Sequence, residues 1–236
     1  MQRLSSPALQ SQRWSGIQSP AVARVAPFAA FIALLALESF AGPWLGDTRW
    51  LTVLRPIVVA GILALLWKHY TELHGSVRMP LRHFVLALAV GIAVFATWIV
   101  FDRDWAIVGA SRGGFAPLDS DGDLDITLIA LRLVGLGLIV PVMEEIFWRS
   151  FLLRWIERPR DFLAVDPRRV GFTAFALASV LFASEHALWF AGLVAGISYC
   201  FVYMRTRNLW AAVLSHAITN TTLGVWILAT GNWRLW

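Results

Sequence analysis

Apolar runs long enough to cross a bilayer, about 17 to 25 residues each, follow one another along most of this chain, at 25–43, 50–68, 81–101, 126–156, 170–186, 187–204 and 209–230. Lipid offers no partner to an unpaired N–H or C=O, so segments like these must satisfy their backbone within helices. They predict an all-α fold, a polytopic membrane helical bundle of about seven transmembrane helices, or eight if one run divides. Only Ser184, Glu185 and His186 interrupt the apolar pattern between the fifth run and the sixth, and Pro141 is expected to bend the long fourth. Composition agrees: 58% of the 236 residues are hydrophobic and 15% charged, with a mean hydropathy of +0.65, which is outside the range of a soluble globular chain.

Loop charges give the topology. Residues 1–24 are rich in Ser, Gln, Pro and Arg and carry no acid, so they are expected to form a flexible cytoplasmic tail leading into a retained first helix, not a cleaved signal peptide. The tail (Arg3, Arg13, Arg24), the second loop (Lys68, Arg78, Arg82), the 158–169 loop and the Arg205, Arg207 turn are net basic and alternate with loops that are not. The positive-inside rule then places the N-terminus in the cytoplasm and the C-terminus outside, in a multi-pass protein of the inner (plasma) membrane. Residues 25–236 form one transmembrane domain on this reading, without an internal repeat. Many of the 13 tryptophans, Trp44, Trp50, Trp105, Trp210 and Trp233 among them, sit near run ends, where an interfacial belt lies.

Several function classes drop out. The net charge of +5 comes from residues between the spans, not from a basic stripe with interleaved aromatics, so nucleic acid is not expected as a partner. A lone Cys200 excludes an internal disulfide and a multi-cysteine metal site. The alternating Asp119, Asp121, Asp123 and Asp125 suggest calcium. An EF-hand loop, however, requires Gly and Glu where this chain has Leu124 and Ala130, so a solvated outer loop with Asp125 capping the next helix is the better reading.

What remains is a short set of polar residues within apolar runs. A charge at mid-bilayer costs on the order of 2.5 to 3.5 kcal/mol on insertion scales, so each requires a partner or a function. Glu38, Arg55 and Arg132 have no catalytic-type neighbours in sequence and read as pairing or snorkelling residues. Glu144, Glu145 and Arg149 lie on one helix, His186 ends the fifth run, and His216 and Asn220 share the seventh. A separation of four is just over one turn, so Glu145 can reach Arg149, and His216 and Asn220 share a face. Counted from the 158–169 loop, Glu144 rises roughly 20 Å and His186 roughly 24 Å, so the groups can converge past the midplane, toward the outer leaflet.

A carboxylate beside a neutral imidazole can take a proton from water, while a second imidazole and a carboxamide can donate hydrogen bonds to an oxyanion. That combination suits amide hydrolysis. Arg149 would hold Glu145 as its ion-pair partner and leave Glu144 to act. Alternatively Glu144, His186 and His216 could hold a divalent metal such as zinc, although the His-Glu-x-x-His helix pattern is absent. The preferred reading requires no cofactor. A transporter would also carry intramembrane charges but usually shows repeat symmetry and broken helices in corresponding positions. A non-catalytic membrane binding or immunity protein could keep the same residues without turnover.

The motifs EEIFWR (144–149), FASEH (182–186) and HAITN (216–220) together resemble the CAAX-protease and bacteriocin-processing (CPBP, or Abi) family of intramembrane proteases. The resemblance covers the C-terminal half, with the catalytic motifs in 126–230. It implies an endopeptidase acting on a membrane-anchored protein. Glu144 with His186 would activate water, His216 with Asn220 would stabilise the oxyanion, and Glu145 with Arg149 would support them. In FWRSFLLRW, FASEHALWFAGLVAG and ATGNWRLW the chain is similar to bacterial CAAX-protease-related proteins that accompany exosortase sorting systems, which implies a membrane-tethered sorting tail as substrate.

Overall fold

The structure, a computed structural model, describes residues 19–45, 48–75, 77–108 and 116–235. Its helices are α1 (Pro20–Leu45), α2 (Arg49–Leu65), α3 (Leu81–Val100), α4 (Ile126–Glu157), α5 (Phe172–Ala183), α6 (Trp189–Thr206) and α7 (Leu209–Thr230). No strand occurs among the described residues beyond two isolated bridges. A helix thus stands at each of the seven expected places. Four of them are long and apolar enough to cross a membrane: α1 over Pro20–Phe40, α3, α4 and α7. With 12 residues, α5 rises only about 18 Å, short of a hydrocarbon core of about 30 Å.

Two expectations change. The tail drawn over 1–24 falls largely on 1–18, outside the described residues, but its last residues are helical. Pro20 opens α1, a position where a missing N–H costs nothing. Arg24, counted as a tail charge, is fully buried and ion-paired to Glu72 at 2.6 Å. The second change concerns His186. It lies not in a helix but in the non-helical turn between Ala183 and Trp189, because Ser184, Glu185 and His186 break the apolar pattern.

Local chemistry sets several helix boundaries. Asp125 caps α4 by accepting the Leu128 N–H at 2.9 Å, and Asn208 caps α7 by accepting the Trp210 N–H at 2.9 Å. Within α4 the register loosens twice, into π-helical stretches at Gly135–Ile139 and Ile146–Leu152. The first leads directly to Pro141. There the Val140 N–H donates five residues back, to the Gly135 carbonyl, and Pro141 has no N–H with which to continue to Leu136.

Close helix contacts fix the bundle. α3 packs along α7, α5 along α6 and α1 along α2. A Cβ on Gly91 would lie 2.7 Å from the Ser215 carbonyl oxygen, and one on Gly196 would lie 2.8 Å from that of Ser179, so only glycine permits these approaches. The Thr219 hydroxyl donates to the Gly91 carbonyl at 2.8 Å across the first of these contacts. On the side of the basic loops, Glu72 gathers Arg24 of α1 with Arg154 and Ser150 of α4, tying the α2–α3 connection to both helices.

Candidate active site

Residues on α4, α7 and the α5–α6 turn meet around one cavity of about 240 Å³, whose wall includes Glu144, His186, His216 and Asn220. The α4 stripe Arg132, Leu136, Val140 and Glu144, spaced four apart, forms one side of it. Trp98 of α3 closes another side, with its ring centroid 5.5 Å from that of His186. Every residue expected in the site except Glu145 and Arg149 faces this cavity. Those two lie behind it, with fully buried side chains.

Glu145 is the hub of that second layer. Its Oε1 accepts from Arg149 Nη1 at 3.1 Å and from His216 Nδ1 at 3.0 Å. Arg149 also donates to the Gly196 carbonyl at 3.3 Å and lies over the rings of Phe182, 4.4 Å, and Tyr199, 5.3 Å. The guanidinium is therefore desolvated but compensated on several sides. Tyr199 in turn stacks on His216 at 4.8 Å with an interplanar angle of 18°, which fixes the plane of the imidazole.

The partners also set both tautomers. A carboxylate and a carbonyl can only accept, so His216 Nδ1, facing Glu145, and His186 Nδ1, 2.9 Å from the Phe182 carbonyl, each carry the hydrogen. In the neutral rings both Nε2 atoms then hold lone pairs. His216 Nε2 is 3.9 Å from Glu144 Oε2. An oxyanion donor at that nitrogen consequently requires the imidazolium, a condition that residue types alone do not reveal.

Asn220 has a further task. Its Nδ2 donates to the Leu136 carbonyl at 2.9 Å, the acceptor that Pro141 cannot serve in the π register. One amide hydrogen is used there and the second remains for a ligand.

Several wall and support residues lie outside the set expected from the sequence. Tyr199 continues the close-packed face Gly192, Gly196, and Trp98 the face Gly91, Val94, at helical spacing. Those glycine stripes are the pattern that could have pointed to them. Glu185, in the same turn as His186, is a third carboxylate. Glu38 and Arg55, read as pairing or snorkelling residues, pair with each other at 3.1 Å.

Residues 126–222 match the family described as "Type II CAAX prenyl endopeptidase Rce1-like". Over 136 residues the chain is 24% identical to "Putative membrane peptidase YdiL" of Bacillus subtilis (strain 168), an alignment covering 55% of this chain and 50% of the relative. The chain thus matches about half of the relative's length. No solved structure matches. All three sequence motifs fall inside the family match, and residues 1–125 fall outside it.

Proposed function

We propose that this chain is an intramembrane endopeptidase in which Glu144 activates water to hydrolyse a peptide bond of a membrane-anchored protein. The observation that carries this reading is the gathering of Glu144, His186, His216 and Asn220 on one cavity wall within a helical membrane domain. The family match over the same residues supports it.

In the proposed reaction Glu144 takes a proton from a water held between its carboxylate and His186 Nε2, and the hydroxide attacks the scissile carbonyl carbon. The tetrahedral oxyanion accepts a hydrogen bond from the second Asn220 N–H and, where His216 has taken a proton from solvent before the attack, from its Nε2–H. Glu145 favours that imidazolium by accepting its Nδ1–H. The proton on Glu144 passes to the leaving amine, so that the acyl fragment keeps the water oxygen.

A metal-assisted variant would use Glu144, His186 and His216 with a divalent ion such as zinc. Both imidazoles carry the tautomer that suits it. The His-Glu-x-x-His helix pattern of zinc proteases is absent, so this variant rests on residue types alone. The metal-free form is preferred on that ground, and a chelator tests it: cleavage that stops with chelator and returns with zinc would favour the metal.

The proposed substrate is a membrane-tethered sorting tail supplied by an exosortase-type system, an assignment resting on the similarity in FWRSFLLRW and ATGNWRLW. The protein would sit in the inner membrane with its N-terminus cytoplasmic, as the loop charges indicate. Comparing cleavage of a tethered sorting-tail peptide with that of a prenylated peptide tests the substrate. Preference for the prenylated one would contradict the assignment.

A further inference from the structure

Away from the cavity just described, a groove of about 590 Å³ opens between the start of α5 and the end of α6. Its floor and walls are Phe172, Phe175, Phe201 and Met204, and its rim carries Arg168 and Arg205. Phe172 is 81% exposed and Phe201 51%, so large apolar surface meets two cations at the end of the bundle where the basic loops lie. Arg82 and His83 stand at the start of α3, on the side of the basic loops.

Among the described residues, Arg82, Arg168 and Arg205 make no ion pair. Two acids lie near this rim: Asp166 is engaged by Arg207 at 3.3 Å and accepts the Arg168 backbone N–H at 3.1 Å, and Glu157 accepts the Gly171 backbone N–H at 2.9 Å. The groove therefore combines an apolar slot with two rim arginines that make no ion pair among the described residues, the complement of a phospholipid's acyl chain and headgroup phosphate.

We infer that this groove is a binding site for one anionic phospholipid, with an acyl chain against Phe172, Phe175 and Phe201 and the headgroup phosphate between Arg168 and Arg205. Charge complementarity selects this occupant. A second copy of the chain would bring two cationic rims together, and a free phosphate would gain nothing from the phenylalanines. The slot lies beside the basic 158–169 loop and the Arg205, Arg207 turn, and the orientation proposed from the loop charges turns that end toward the anionic leaflet. This site does not depend on the protease reading.

Native mass spectrometry of the full chain, released from mixed micelles containing phosphatidylglycerol and phosphatidylcholine, tests the inference. The expected result is one retained phosphatidylglycerol per chain, favoured about tenfold over phosphatidylcholine, with the preference falling to near parity in Arg168→Gln/Arg205→Gln. Thermal unfolding checks that the double variant is folded, and the two single variants carry the same comparison if it is not. Equal retention of both lipids by the unaltered chain would overturn the inference, and that arm needs no variant. So would an undiminished preference in the variants, displacement of the adduct by inorganic phosphate, or a dimer in place of the adduct.

Discussion

Glu145 and Arg149 show how much one buried pair carries. The carboxylate accepts from both Arg149 and His216, so removing the guanidinium leaves a desolvated anion beside the site. Arg149→Ala is expected to cost about 3 to 5 kcal/mol of stability, read as a lowered unfolding midpoint in detergent, together with loss of any cleavage. Lost activity at an unchanged midpoint would contradict the support role. The pair itself was legible from the sequence, because four residues on a helix is a local distance. The Glu145–His216 contact was not. Its partners are 71 positions apart, and only the packing of α4 against α7 brings them together. The tautomers were hidden for the same reason, since they depend on what each Nδ1 meets.

At the scale of the element, α4 joins fold to site. Pro141 was visible as a disturbance, but the sequence could not show that the disturbance is a π-helical stretch or that Asn220 serves the carbonyl left open there. A double-mutant cycle tests this. Asn220→Ala should destabilise by about 1 to 3 kcal/mol, the cost of an unsatisfied buried acceptor, and by less in a Pro141→Ala background, where residue 141 regains an N–H for Leu136. Strict additivity would dissociate the two residues. The α3–α7 contact makes a separate prediction. Gly91→Val would drive a side chain into Ser215 and Ile218 and should cost roughly 1 to 3 kcal/mol or more through overpacking, measured as loss of monodisperse protein on size exclusion. Helix placement was legible because lipid enforces apolar length. Spanning length was less so, since run boundaries drawn by hydropathy absorbed the turn at 184–188 and lengthened α5.

For the molecule as a whole, the Glu72 network ties together segments far apart in the chain, with Arg24 48 residues and Arg154 82 residues from Glu72, which is why it could not be read from spacing. Burial alone would raise the Glu72 carboxyl, but Arg24 and Arg154, with the Ser150 hydroxyl, hold it down from 4.5 to about 2. A depressed folded-state value contributes stability in full above the unfolded carboxylate range and loses it as pH falls through the folded value. The unfolding midpoint should therefore drop between pH 4.5 and about pH 2, and Glu72→Gln should flatten that dependence while lowering stability at neutral pH. An acid profile identical to that of the unaltered chain would remove Glu72 from this role. The proposed role of the polar cluster is hydrolysis with Glu144 as base. It is tested most directly by incubating the purified full chain with membrane-anchored peptides, including a tethered sorting tail, alongside Glu144→Gln, each with and without chelator. Cleavage by the unaltered chain is expected in both conditions, with a folded Glu144→Gln protein slower by about two to four orders of magnitude. Cleavage by Glu144→Gln at the rate of the unaltered chain would contradict it.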